Sequence, residues 1–280
     1  MESVVADRST LSEAARRRML ALPGEPMFYA RWDRAVFIHY EADPIVLQRD
    51  VPFQLDLRDG RAFVSIVAFT LARMRPRIGG RFGEWLFKPI ATHEFLNVRT
   101  YVRHRGEPGI YFLAEWLSNP LSVRLGPRTF GLPYRFGRLM YDHASNDRTL
   151  RGTVDGRGGR LAYAGEVCGS DFEISETEAL TEFVLERYTA FTKRGSRARF
   201  FRVWHLPWEQ APAEIEVTDY TLLAATGAWW KTAQYTGANY SPGAEVWMGR
   251  PHRIRGASTS SSNHAAMNSA NKVNANWTVE

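Results

Sequence analysis

One β-rich α+β domain, mostly antiparallel, is the fold that this 280-residue sequence predicts. Three observations lead there. Aromatic residues are abundant (16 Phe, 11 Tyr and 9 Trp), and such side chains favour pleated, half-buried surfaces. Apolar runs of strand length recur between short turns, not between crossover helices. No linker interrupts residues 25–252, and 44% hydrophobic content supports one sizeable core.

The elements follow in order. Thr10 and Glu13 form a T-x-x-E capping box, predicting a helix that runs to the turn Pro23-Gly24-Glu25-Pro26. Residues 31–42 carry the strand-like core Val36-Phe37-Ile38-His39-Tyr40. Asp43-Pro44 pairs an N-cap with a first-turn proline, so a short helix follows. Beyond the Arg58-Asp59-Gly60 turn, residues 61–74 are a long apolar, β-branched run that reads as a buried strand. Arg73 to Arg81 reads as a solvated loop. Residues 97–105, 109–117 and 121–126 are expected strands, linked by turn chemistry at 106–109 and 118–120 into a meander. Two more strands, 148–155 and 160–168, flank Arg157-Gly158-Gly159. Ser175 and Glu178 form a second capping box, and Leu180, Phe183, Val184, Tyr188 and Phe191 recur at helical spacing, predicting an amphipathic helix over 176–192. Residues 199–208 return to strand, and 217–227 and 244–249 are the last ordered pieces. The expected organisation is a helical extension at 1–24, one domain at 25–252 and a disordered tail at 253–280, where apolar residues are sparse and unperiodic.

Composition excludes several functions. Cys168 is the sole cysteine, so neither an intramolecular disulfide nor a cysteine zinc site can form. No apolar run approaches the roughly 20 residues needed to span a bilayer, and the start lacks a signal-peptide core. A cytoplasmic protein without a membrane partner is expected. The net charge of +6 comes from arginines scattered among 30 acidic residues, without the concentrated basic element of a nucleic-acid binder. An anionic small molecule is the expected partner, with no cofactor and no metal. His93-Glu94 and Asp142-His143 lack metal-ligand spacing. His39 and His205 each sit in an aromatic strand, where a lone histidine is usually a packing residue; His205 is kept as a cavity candidate.

The segments VFIHYEADPIVLQRDVP, FLNVRTYV, GIYFLAEW, FGLPYRF, FVLERYTAFT and VWHLPW resemble the YqjF-like family of uncharacterised bacterial proteins, within the acetoacetate decarboxylase-like superfamily. The resemblance spans roughly residues 30–210, with NVRTYV, LPYRF and ERY its most specific pieces. It implies a mostly antiparallel cone or barrel with peripheral helices, enclosing a small-molecule cavity. It supplies no activity. The decarboxylases carry Pro-Lys-Lys where this chain has Pro133, Tyr134 and Arg135. Their first lysine forms a Schiff base and the second lowers its pKa. A phenol forms no imine and a guanidinium has no usable neutral form, so covalent decarboxylation is contradicted here. A glutamate of the decarboxylase cavity corresponds to Asn97.

The residues left at those positions still carry chemistry. Tyr134 can donate a hydrogen bond, Arg135 or Arg128 can grip a carboxylate, and Asn97 can donate and accept. Arg99 follows Asn97 at i+2, so both share one strand face, which Tyr101 continues. Two readings of this polar row stand: a ligand site, or a brace in which Arg99 pairs with Glu115. Three functions therefore remain open. The first is a binding protein for a small anionic or oxo-acid metabolite. The second is an enzyme using Tyr134 and Glu115 in non-covalent acid/base chemistry. The third is an interaction protein whose cavity is closed by aromatic rings. Removing residues 256–280 should leave the melting temperature almost unchanged, because that segment has too little apolar surface to offset its ordering entropy. A drop of several degrees would refute that assignment.

Overall fold

Strands that are apolar on both faces must be covered on both sides, and the topology of this chain does so by forking its sheet. The computed structural model describes residues 2–143, 148–169, 171–175 and 179–254, with side chains from residue 11 onward. The first half comprises α1 (Glu2–Leu20), β1 (Phe28–Ala42), α2 (Pro44–Asp50), β2 (Gln54–Leu55), β3 (Ala62–Pro76), α3 (Gly80–Phe87), β4 (His93–His104), β5 (Glu107–Leu117) and α4 (Pro120–Thr129). The second comprises β6 (Tyr134–His143), β7 (Thr149–Gly156), β8 (Gly159–Val167), β9 (Glu173–Ile174), α5 (Leu180–Leu185), β10 (Thr189–Arg194), β11 (Arg197–His205), β12 (Glu209–Asp219), α6 (Thr221–Ala224), β13 (Gln234–Met248) and β14 (His252–Arg253).

Five adjacent strands, β13-β1-β3-β4-β5, form a shared wall. At one edge β13 pairs with β12 through residues 238–240 and with β11 through 246–248. At the other edge β5 pairs with β10 through 110–111 and with β6 through 115–117. The wall therefore closes twice. Strands β6-β7-β8-β12 complete a closed nine-strand barrel, and β10-β11 close a smaller circuit over the opposite face. Alternation along β4 shows the consequence. Leu96, Val98 and Val102 join the core of the nine-strand barrel, while Phe95 and Tyr101 join the second core with Phe37, Phe63, Phe112 and Trp208. A wall buried on both faces reads in sequence as a continuous apolar run, which is why residues 61–74 show no polar alternation.

Most expected strands form, and the fold is mostly antiparallel with few, peripheral helices. Asp43 caps α2 by accepting from the Ile45 and Val46 amides at 2.8 and 2.9 Å. Other expectations are corrected. Residues 121–126 are helical, because Asn119 caps α4 by accepting from the Leu121 and Ser122 amides, both at 3.0 Å. The link through α4 is thus a crossover, and β5–β6 is parallel, not part of a meander. The predicted helix over 176–192 shrinks to α5; Thr189–Arg194 pairs as β10 between β5 and β11, where its apolar residues reach both cores. Glu178 of the second capping box lies outside the described residues. The Arg73–Arg81 loop is instead the end of β3 and the start of α3. The first helix begins at Glu2, so Thr10 does not start it. It docks on β11, where Ser12 donates to the His205 carbonyl at 2.7 Å and Met19 is fully buried. The predicted tail falls, beyond residue 254, outside the described residues. No helix among those described is long and apolar enough to cross a membrane.

Ile66, in the middle of the wall, is fully buried, whereas Met140 on β6 is exposed. I66A should cost about 2–5 kcal/mol in denaturant unfolding. M140A should stay within about 0.5 kcal/mol of the parent. Equal costs would contradict a wall buried on both faces.

Candidate functional site

The smaller circuit encloses a cavity of about 350 Å³. Aromatic and aliphatic side chains such as Phe28, Trp32, Phe69, Phe95, Phe130 and Trp208 make most of its lining. Four of its polar residues, His93, Asn97, Arg99 and Glu115, stand on the wall. Asn97 lies opposite Glu115 in the β4–β5 register, and Glu115 lies opposite Tyr134 in the β5–β6 register. These three neighbours form a rung roughly 10 Å wide, two strand spacings across. Arg99 sits two residues further along β4, about 7 Å away. All four line the cavity, as do His93, Arg187 and His205.

A β-bulge brings Glu115 to this face. Val98 pairs with Ala114 but Arg99 pairs with Phe112, leaving Leu113 as the extra residue. The bulge shifts the alternation, so Phe112 and Glu115 point into the cavity while Leu113 and Ala114 pack toward the barrel core. A glycine admits Tyr134: a Cβ on Gly126 of α4 would sit 2.2 Å from the Tyr134 ring. The ring also meets Phe95 edge-on at 5.6 Å between centroids.

The polar groups are poorly satisfied by the protein. Asn97 Oδ1, Arg99 Nε and Glu115 Oε2 are buried without a hydrogen-bond partner among the described residues. Arg99 Nη2 donates to the Val184 carbonyl at 2.9 Å, and among the described residues no ion pair joins it to Glu115. The brace reading of Arg99 and Glu115 therefore lacks its ion pair. Burial holds the Glu115 carboxyl well above the usual carboxylate range. The Tyr134 phenol is also pushed well up, first by burial and then by the neighbouring Glu115. Burial lowers His93 to about 4, offset only in part by Glu94 and the Ile90 backbone. His205 is lowered by burial too; its Nδ1 faces the Leu206 carbonyl at 2.7 Å and its ring stacks on Tyr188. Arg187 is matched: it donates to Asp56 at 2.7 Å with both side chains buried, and Asp56 also accepts from Arg103.

Of the expected residues, Tyr134, Glu115, Asn97, Arg99 and His205 converge on the cavity. Arg128 and Arg135 do not, and their placement there is corrected. Arg135 follows Tyr134 in a strand and so faces the other way, exposed over the Trp116 ring at 5.2 Å. Arg128 is on the exposed side of α4, donating to the Arg124 carbonyl at 2.7 Å. His39 stays outside, between Ser65 Oγ at 2.7 Å and Asn239 Oδ1 at 3.1 Å. Ser65 in turn meets the Tyr101 hydroxyl, which donates to the Val184 carbonyl shared with Arg99. His93 and Arg187 are cavity residues that sequence reading missed. Arg187 sat in the ERY segment, but nothing marked its side chain as inward. Among the described residues, no group of three or more His, Cys, Asp or Glu could hold a metal ion.

Two pH effects of opposite sign follow. His39, His93 and His143 have folded-state values lowered from 6.5 to about 3, 4 and 4. The unfolded chain takes up protons first, so their contribution is intact above 6.5 and lost as pH falls, each by up to about 1.4 kcal/mol per pH unit. Glu115 is raised, so stability tied to its neutral form is present at low pH and declines as pH rises above its unfolded value. Denaturant titrations should therefore show E115Q gaining on the parent protein as pH increases from about 4.5. A pH-independent difference would mean that Glu115 is not held neutral.

Comparison with known proteins agrees with this architecture. The family model DUF2071, described as an uncharacterized conserved protein, matches residues 29–245. The uncharacterized protein YqjF of Bacillus subtilis is 28% identical over 227 residues, covering 78% of this chain and 89% of that protein. Similar solved structures include an acetoacetate decarboxylase-like enzyme from Sphingomonas wittichii, with a TM-score of 0.56 and 13% identity over 82% of this chain and 94% of that one. Acetoacetate decarboxylase from Legionella pneumophila gives a TM-score of 0.56 and 13% identity, over 85% of this chain and 94% of that one. The enduracididine biosynthesis enzyme MppR, solved with pyruvate, gives 0.55 and 13%, over 83% and 91%.

Proposed function

This chain belongs to the DUF2071 family, and we propose that its cavity binds a small anionic or oxo-acid metabolite without forming a Schiff base. One observation carries the reading. Asn97 Oδ1, Arg99 Nε and Glu115 Oε2 are buried in one apolar cavity without protein partners. Leaving such groups unmatched costs about 1–3 kcal/mol each, and a ligand with complementary polar atoms removes that cost. Charge gives the class. Arg99 brings a cation with no ion-pair partner among the described residues, burial biases Glu115 toward its neutral form, and Arg187 is already matched by Asp56. The surplus is positive, which favours a carboxylate. Neutral Tyr134 and Glu115 supply donors for a neighbouring oxo group. The pyruvate held by a fold relative is consistent with that class.

A second reading shares the geometry. Glu115 and Tyr134 are register neighbours, and each can donate a proton. An enzyme built on them would use non-covalent acid/base chemistry on an oxo acid, with Tyr134 as proton donor or oxyanion stabiliser, the Glu115 carboxylate as the base that takes up a proton, and Arg99 as carboxylate clamp. The open volume of about 350 Å³ argues against a cavity closed by its own aromatic rings.

Thermal-shift titration with pyruvate and other small keto acids or carboxylates tests the proposal. A ligand at a hundredfold excess over Kd should stabilise the native state by about 2.7 kcal/mol. Y134F should preserve the fold and weaken binding about tenfold or more, the worth of one hydrogen bond to a charged ligand. Borohydride with a keto acid should trap no adduct. Stabilisation by a macromolecule and by none of the small acids would sink the binding reading. An adduct on Lys88, Lys193 or Lys231 would sink the non-covalent one.

A further inference from the structure

Helix α3 is turned inside out for a helix on a globular domain. Its inner face carries Gly83, where a Cβ would lie 2.9 Å from both the Pro76 side chain and the Ile78 carbonyl. Its outer face carries Phe82, Trp85 and Leu86, at the i, i+3, i+4 spacing of one stripe, and these are 69%, 66% and 58% exposed. Phe82 and Trp85 stack on each other at 6.0 Å. Ile78, just before the helix, is exposed as well. Across the cavity opening, α4 adds exposed Leu121 and Leu125, and it is tied to the segment after α3 by the Asn119 amide donating to the Pro89 carbonyl at 2.7 Å. An apolar surface gathered in this way marks an interaction site.

Its surroundings identify the partner. Arg77, Arg81, Lys88 and Arg124 are exposed around the apolar residues. Glu84 is the one acid in residues 73–88, against five cations, and it already faces Arg75 at 3.9 Å; residues 118–133 contain no acid. Aromatic and aliphatic side chains ringed by cations match the interfacial layer of an anionic bilayer. A two-fold contact between copies would instead bring these cations together without acids to balance them. The same segments frame the cavity: Leu125 is 42% exposed and also lines it, as do Phe87 and Ile90.

We propose that α3 and α4 form a docking surface for anionic membranes, which seats the mouth of the cavity against the bilayer. The proposal is independent of what the cavity binds. The expectation of no membrane partner came from the absence of a spanning segment, and a surface-lying helix does not need one.

Co-sedimentation of the full-length protein with vesicles tests it, using phosphatidylcholine alone or mixed in equal parts with phosphatidylglycerol. The protein should sediment with the anionic vesicles, not with the neutral ones, and less so at high salt. F82S/W85S should lower partitioning at least about tenfold. R81Q/K88Q should lower it about fivefold per charge removed. Because all four side chains are exposed, both double variants should melt close to the parent protein. Y134F should bind vesicles as the parent does, which separates this surface from the cavity. Absence of sedimentation, equal binding to neutral vesicles, or indifference to F82S/W85S would overturn the proposal. So would a concentration-dependent dimer, abolished by F82S/W85S, in a protein that ignores vesicles.

Discussion

A sheet covered on both faces has no solvent side on which to place polar residues, and this constraint organises the molecule. The wall β13-β1-β3-β4-β5 presents one face to the barrel core and the other to the smaller circuit. A polar side chain in the covered middle of the wall is buried, and must find a partner or leave a donor or acceptor unmatched. Most find partners. His39, Ser65, Tyr101 and Asn239 form a continuous hydrogen-bonded chain that ends at the Val184 carbonyl and is extended at its other end by Gln210. Among the described residues, His104, Trp116, Thr236 and Tyr240 keep single unmatched atoms at scattered places on the wall, whereas His93, Asn97, Arg99 and Glu115 share one cavity. That contrast between a satisfied network and a neighbouring unsatisfied one distinguishes a site from a structural motif.

The fork in the sheet also explains how such a site stays open. Strand β5 gives the first part of its free edge to β10 and the last part to β6, so the two diverge between Tyr111 and Glu115. The bulge at Leu113 falls inside that interval. Helix α4 spans the resulting gap, and Gly126 lets Tyr134 lie against it. Fold and site thus share one device: the local irregularity that lets the sheet split also turns Glu115 inward.

The sequence was legible where side-chain alternation and local capping decide structure. Asn97, Arg99 and Tyr101 share a face because they share parity in one strand, and Asp43-Pro44 starts a helix for reasons contained in two residues. It was illegible where a distant partner decides. Thr189–Arg194 has helical spacing behind α5, yet pairing with β5 and β11 outweighs it. Asn119-Pro120 serves equally as a turn or as a cap and first turn, and only the structure selects the helix. The arginine assignments failed for a similar reason. Arg135 was expected at the cavity because the resemblance carried a whole tripeptide there, although neighbours in a strand face opposite ways. Glu115 could be suspected from its apolar context, but its direction depends on a bulge that no local pattern announces.

The cavity's electrostatics turn on the burial of Glu115 beside Tyr134. Two amines near Glu115 would compete for its proton and hold it ionised. With a phenol there and the guanidinium of Arg135 turned outward, no opposite charge among the described residues offsets the burial of Glu115, which pushes its carboxyl well above the usual carboxylate range. A neutral Glu115 beside a neutral Tyr134 is a pair of hydrogen-bond donors, complementary to an oxo group rather than to an amine intermediate. Arg99, two residues beyond Asn97 on β4, is the cavity's one cation without an ion-pair partner among the described residues. Among the described residues that line the cavity there is no lysine, so its donors can hydrogen-bond but cannot form an imine.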